Sequence, residues 1–270
     1  MTTANQGAAA GGQRVAVVTH VTEYAGPGSD RALADAGYVV ACHDQTFIDP
    51  QTRAQFSAAN VGLLAMEQQS PHDLAAAVIT AFGRIDVVVS NDFIPGSHFD
   101  PTPETRPPGT PSLRAQRLED MDVVEFRATL EELVIRPFLL AQNVIGAMKE
   151  RGSGTLIFIT SAASYRAGPN IEMYGAARSA TTALAQGLAV EVAPFNIQVN
   201  PIGPAWFANP TYFPERLSEE WMPAVAREVP LGRLSRQDEL GALVVFLASG
   251  QALPLTGQFL PFTAGTRLRR

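Results

Sequence analysis

The chain has 270 residues, 46% hydrophobic and 17% charged, with a formal net charge of -6 and a single cysteine. That length buries a large core in one domain or two, and the mild acidity gives no electrostatic footing for nucleic acid. One thiol excludes an internal disulfide, and no window approaches the roughly eighteen apolar residues of a membrane span, so a soluble, cytoplasmic protein is expected. The first dozen residues, MTTANQGAAAGG, lack the basic start and apolar core of a signal peptide. Residues 1–13 are therefore expected to form a frayed, flexible tail.

RVAVVTH (Arg14 to His20) is a branched apolar run, the pattern of a strand buried on both faces. A glycine-containing turn leads to SDRALADAG from Ser29, a helix that Gly37 suits as a stop. YVVACHD gives the second strand, in which Cys42 reads as a small buried residue rather than a nucleophile. Asp44 ends that strand, where dinucleotide enzymes usually place a ribose-binding carboxylate. GLLAMEQQ, near Ala65, is a third strand, and SPHDLAAAVITAFG a helix capped by Ser70 and stopped by Gly83. RIDVVVSND is the fourth strand, ending at Asn91.

Residues 94–112 are crowded with prolines and too long for an ordinary connection. The flanking segments continue one sheet pattern, so this stretch reads as an ordered loop at a pocket rim rather than an interdomain linker. The helical period that follows contains Pro137, which should bend or divide it. TLIFIT is the fifth strand and NIQVNPIG (Asn196 to Gly203) the sixth. An aromatic, proline-rich loop over 204–222 precedes two further helical segments, and QFLPFTAG supplies a last short strand. The pattern is α/β: a doubly wound, Rossmann-like parallel sheet with helices on both faces, in a single domain over 14–270.

Ser161 stands where the fifth strand should end, and ligands in such sheets collect at the carboxyl ends of strands. Tyr174 opens an alanine-rich helical segment, with Arg178 four residues later on the same helix face. A hydroxyl, a phenol and a cation that favours the phenolate suffice for proton transfer at oxygen. Singly, each has an ordinary explanation in a turn, a packed ring and a common helix residue. Their joint spacing behind a buried strand is what marks a site.

That spacing resembles the catalytic signature of short-chain dehydrogenases, with Arg178 where the superfamily normally has Lys. The Ser-Tyr-Arg version is similar to halohydrin dehalogenases, relatives that bind no dinucleotide. The turn after the first strand, THVTEYAG, points the same way. The dehydrogenase pattern there is Thr-Gly, three residues, Gly-x-Gly. Here His20 replaces the first glycine, Tyr24 the second, and Gly26 alone remains in phase, while Gly28 is a deceptive near-match. The phenol of Tyr24 would fill cofactor space and Glu23 would repel phosphate. The asparagine that assists proton relay in many short-chain dehydrogenases is replaced near Leu133. Asp44 takes no catalytic role in this reading.

The resemblance implies a halide nest near Tyr24, formed by Pro204, Ala205, Trp206, Phe207 and Phe213, although Phe207 or Tyr212 could equally be core or subunit-contact residues. It implies that Ser161 positions a substrate hydroxyl, that Tyr174 takes its proton with Arg178 favouring the phenolate, and that halide leaves as an epoxide closes. In reverse, azide, cyanide, nitrite or halide opens the ring. No cofactor and no metal are implied, the partners are small halohydrins, epoxides and anions, and a homotetramer is expected through the helices after strands four and five. The alternatives are an NAD(P)-dependent short-chain oxidoreductase and a non-catalytic binding protein on the same fold.

Overall fold

The computed structural model describes residues 12–94, 116–166, 168–214 and 218–266. The expected tail over 1–13, the rim loop over 94–112 and part of the 204–222 loop thus lie largely outside the described residues. In chain order the elements are β1 (Val15–Val18), α1 (Gly26–Asp35), β2 (Val39–His43), α2 (Pro50–Ala59), β3 (Leu63–Met66), α3 (Pro71–Phe82), β4 (Val87–Ser90), α4 (Val123–Leu130), α5 (Arg136–Arg151), β5 (Gly154–Ile159), α6 (Glu172–Val192), β6 (Ile197–Pro204), α7 (Ser218–Glu228), α8 (Gln237–Ala248) and β7 (Leu260–Phe262).

Every strand pairs in parallel, in the order β3-β2-β1-β4-β5-β6-β7. The inner strands are apolar throughout because helices cover both faces. Alternate residues feed two cores: Val18, Val40, Val89 and Ile157 face Leu33 of α1 and Leu240 and Val244 of α8. Val17, Ala41, Val88 and Leu156 face Leu74 and Val78 of α3, Val144 of α5 and Ala185 of α6. Strand order reverses between β1 and β4, and a crevice opens at their carboxyl ends.

Local signals explain most element ends. Ser70 accepts the Asp73 N–H at 3.0 Å and Gly83 closes α3 in the left-handed region at φ 69°. The first helix starts at Gly26 rather than Ser29, with Pro27 in its first turn. Helix α2 carries no apolar stripe, since none of its residues is buried; its sequence mark is Asp49 before Pro50, whose carboxylate accepts the Gln51 and Thr52 N–H groups. Pro137 divides its helix through a hydrogen-bond exchange. It lacks the N–H that would reach the Leu133 carbonyl, and the Thr181 hydroxyl of α6 takes that carbonyl instead. The freed turn, Glu131–Ile135, is π-helical, with the Arg136 N–H reaching back to the Glu131 carbonyl.

Helices α1 and α8 meet through glycine. A Cβ on Gly28 would fall on the Gln237 carbonyl, and one on Gly241 would fall on the Gly28 carbonyl. Gly28, which resembles a displaced phosphate-turn residue in sequence, is therefore a helix-contact residue. Gly28→Ala should lower stability by about 1–3 kcal/mol, the usual range for overpacking, with the same slope in chemical denaturation.

Candidate active site

Ser161 follows β5 with extended backbone, and its hydroxyl oxygen accepts the Ala163 N–H at 3.1 Å. One lone pair is thereby engaged and the hydroxyl hydrogen is left to donate. Tyr174 and Arg178 sit one turn apart on α6, both buried, but they serve different sides of the site. The Tyr174 ring lines a cavity of about 660 Å³ together with Ser161. Arg178 lies behind it, donating from Nη1 to the Ile159 carbonyl at 3.0 Å and from Nη2 to the Asp92 carbonyl at 2.8 Å. Its guanidinium carbon is 5.2 Å from the Tyr174 ring centre and 5.7 Å from that of Tyr24. Burial works against this charge. The oxygens of Tyr174, Tyr212 and Tyr24 outweigh that penalty and hold the guanidinium above its ordinary pKa.

The β1–α1 turn enters the cavity from the opposite side. His20 and Tyr24 adopt left-handed backbone at φ 49° and 47°, the region usually left to glycine. From there the Tyr24 ring crosses the crevice, and its hydroxyl donates to the Thr160 carbonyl beyond β5 at 3.1 Å. The turn is fixed by Asn91, which accepts the Ala25 N–H at 3.1 Å and donates to the His20 and Glu23 carbonyls at 3.0 and 2.9 Å. Asp44 is engaged as well. One carboxylate oxygen accepts the Thr22 N–H and hydroxyl at 3.1 and 2.6 Å, the other those of Thr46 at 3.0 and 2.7 Å. Burial alone would raise its pKa, but these hydrogen bonds hold it below the usual carboxylate value.

Of the residues singled out in the sequence, Tyr24, Ser161, Tyr174, Pro204, Ala205, Trp206, Phe207 and Phe213 all line the same cavity. Arg178 does not; it backs the phenol. Phe207 is at once wall and core, its ring edge-on to Tyr24 and Phe262. Trp206 is left-handed at φ 50° and tilts against Phe213 at 5.6 Å. Among the described residues the Trp206 and Phe207 N–H groups have no hydrogen-bond partner, whereas Ala205 and Ala208 donate to the Phe262 and Ser235 carbonyls.

The structure adds residues that the sequence reading leaves aside. Tyr212, Asn209 and Ile171 also line the cavity. The Asn209 side chain accepts the Thr211 and Tyr212 N–H groups at 3.1 and 2.7 Å and donates to the Phe207 carbonyl at 2.5 Å. The Thr211 hydroxyl accepts the Tyr24 N–H at 2.7 Å and donates to Glu23 at 2.5 Å. Gln237 joins both loops, donating to the Tyr24 and Ala208 carbonyls at 2.7 and 3.1 Å. An aromatic between Thr211 and Phe213 and an Asn two residues after Phe207 are the signals in the sequence, but only the loop's closure makes them legible.

Behind Arg178 lies a second buried group. Asp92 accepts the Ser90 hydroxyl at 2.5 Å and stands 4.0 Å from His20 Nε2. Burial, opposed by Ser90, Arg178 and Arg136, raises its carboxyl to about 6. His20 is lowered to about 3 by burial, with His43 and Arg136 adding to it. His43 is lowered to about 4, again chiefly by burial and then by Arg136. The two imidazoles meet edge-on at 5.0 Å, and neither His43 nitrogen has a partner among the described residues.

The model of the family described as enoyl-(acyl carrier protein) reductase matches residues 26–267. Cis-4-hydroxycyclohexanecarboxylate dehydrogenase of Sinomonas cyclohexanicum is 27% identical over 258 residues, covering 94% of this chain and 96% of its own length. A solved structure described as a dehalogenation enzyme is 33% identical with a TM-score of 0.85, covering 94% of this chain and 98% of its own. That of a halohydrin dehalogenase bound to ethyl (2S)-oxiran-2-ylacetate is 36% identical with a TM-score of 0.84, covering 95% and 98%.

The imidazoles set a pH dependence whose sign follows from linkage. A histidine held low in the folded state is protonated first in the unfolded chain, so it destabilises the fold as pH drops below 6.5 towards about 4. His43→Phe removes that term. Its stability relative to the parent should improve by on the order of 1 kcal/mol per pH unit across that window, in denaturant titrations at stepped pH.

Proposed function

The chain belongs to the halohydrin dehalogenase family, within the short-chain dehydrogenase/reductase superfamily, and from that premise we propose that it interconverts vicinal halohydrins and epoxides without a dinucleotide. One observation carries the reading: the Tyr24 ring spans the crevice between the β1 and β5 ends and faces the same cavity as Ser161 and Tyr174. The residues present do not fit a dinucleotide. Tyr24 fills the space after β1, the Glu23 carboxylate three residues before α1 accepts the Thr211 hydroxyl, and the Asp44 carboxylate is engaged by Thr22 and Thr46. Arg178, in the place of the ribose-holding Lys, donates inward to two carbonyls.

In the proposed reaction the substrate hydroxyl lies between Ser161 and Tyr174. Ser161 donates to its oxygen, while Tyr174, as phenolate beside Arg178, takes its proton. The oxygen's electron pair closes on the adjacent carbon and the carbon–halogen bond breaks. The halide leaves with that bond's electrons into the pocket beside Trp206 and Phe207. The Trp206 and Phe207 N–H groups, without a partner among the described residues and beside left-handed Trp206, make an anion-binding concavity, and aromatic edges suit a large, weakly hydrated ion. In the reverse direction Tyr174 protonates the epoxide oxygen as azide, cyanide, nitrite or halide attacks carbon.

Assembly as a homotetramer through α5 and α6 belongs to the same proposal. Phe138 on α5 and Val190 on α6 are exposed apolar side chains there. Among the described residues no helix is long and apolar enough to cross a membrane.

Halide release from chloro- and bromo-alcohols tests the reaction. Tyr174→Phe should reduce it at least about a hundredfold with the fold intact by circular dichroism, and retention of most of the rate would reject Tyr174 as base. Calorimetric titration with NADH or NADPH should show no saturable binding; tight binding would return the chain to the oxidoreductase alternative. Bromide should inhibit ring closure competitively, and Trp206→Ala should weaken that inhibition several-fold while leaving the pH profile in place.

A further inference from the structure

A second phenol faces the proposed base. Tyr212 is buried, and its ring meets Tyr174 edge-on at 6.4 Å and Tyr24 at 5.0 Å. Asn209 and Thr211 clamp the backbone on which it sits, so the ring's placement is set before any ligand arrives. The Ile94 N–H donates to the Tyr212 hydroxyl oxygen at 3.1 Å. That bond uses the oxygen as acceptor and leaves the hydroxyl hydrogen to be donated elsewhere. Ile94 lies two residues beyond Asp92, whose carbonyl receives Arg178. Tyr212 and Arg178 are thus tied to one short stretch after β4.

Three phenols surround one guanidinium, and they are not equivalent. The Tyr24 hydrogen is engaged by the Thr160 carbonyl. Tyr174 faces the substrate cavity beside Ser161. Among the described residues the Tyr212 hydroxyl accepts from Ile94 and has no acceptor for its own hydrogen, and its oxygen, like that of Tyr174, supports the Arg178 charge. Ring packing alone would be met by Phe; the hydroxyl is the feature to be explained.

We propose that Tyr212 is a positioning residue for the proton transfer: its neutral phenol donates to the Tyr174 oxygen when that oxygen carries negative charge. The two phenols and Arg178 then act as one centre, and the role rests on the reading of Tyr174 as base. Burial, then Tyr174, pushes the Tyr212 phenol up, with Arg178 and the Ile94 N–H opposing, so Tyr212 remains the protonated partner. Among the described residues the other charged or titratable groups on this side are Tyr24, Glu23 through Thr211, and Asp92 behind Arg178, with Arg166 and Glu228 lining the same cavity. Burial pushes the Glu23 carboxyl up, against the Thr211 hydroxyl that donates to it.

Tyr212→Phe keeps the ring and deletes the donor. Halide release from a bromo-alcohol, measured against pH, should show its acid limb displaced to higher pH by about half a unit to one unit. Below the midpoint the rate falls roughly 3- to 10-fold, and on the alkaline plateau kcat and KM stay within about twofold. A midpoint that does not move, with any loss equal at every pH, overturns the proposal and leaves the hydroxyl as a partner for Ile94 alone. Ultraviolet difference titration of the phenols reads the same coupling without turnover. The ionisation step that Tyr174→Phe removes should move alkaline in Tyr212→Phe; a stationary step overturns the coupling whatever the activity. The shift without halide release in the parent would reject the dehalogenase reading and keep the coupling. Should Tyr212→Phe not fold, 3-fluorotyrosine at position 212, a stronger donor, should move the halide-release midpoint to lower pH, and no movement overturns the proposal.

Discussion

The site depends on a full positive charge buried away from solvent. Arg178 is wholly buried, and its two terminal nitrogens donate to the main-chain carbonyls at the ends of β4 and β5. Among the described residues no ion pair joins it. Carbonyl dipoles and phenol rings compensate such a charge only in part, and an isolated ion in the interior carries a desolvation penalty of several kcal/mol. That cation favours negative charge on a neighbouring oxygen, against the burial that pushes the Tyr24 and Tyr212 phenols up. The ends of β4 and β5 supply the two carbonyls, and α6 supplies the cation one turn beyond the phenol. Fold and chemistry meet in that guanidinium.

The cavity in front of it is held by connections between loops far apart in sequence. Gln237 joins the turn after β1 to the loop after β6, Thr211 joins them again, and Asn209 closes the second loop on itself. Side chains fixed by packing and by hydrogen bonds to their supporting loops lose little freedom on meeting a ligand. The aromatic rings do double service, since Tyr24 and Phe207 belong to the core as well as to the wall.

Much of this was legible in the sequence because it is local. The buried strands, the Ser70 cap and the Gly83 stop follow from patterns a few residues long, and the Ser161–Tyr174–Arg178 spacing needs only one strand and one helix. What was not legible is relational. Helix α2 packs no residue deeply enough to leave an apolar stripe. Tyr212 looks like one aromatic among several until the loop folds back on Ile94. Asp92 reads as the end of a strand, and only its depth beside Arg178 and His20 gives it a role. Arg178 reads as sharing the substrate-facing side with Tyr174, whereas the structure sends it behind the phenol to two carbonyls that no spacing rule connects.

The left-handed backbone at His20 and Tyr24 has a consequence for how such a fold changes occupation. A phosphate-cradling turn needs glycine for two separable reasons, the backbone angle and the absent side chain. Here the glycine-like angle is present and the absence is not: φ is positive at both positions while an imidazole and a phenol take up the room. The crevice is closed by side-chain volume on a chain path that glycine could also follow. Moving between a turn that admits a large anionic ligand and one that walls off a small pocket is then a matter of filling or emptying two positions. No loop has to be rebuilt, and the stability gained by relaxing two strained residues to glycine would be set against the void left under Phe207 and Tyr212.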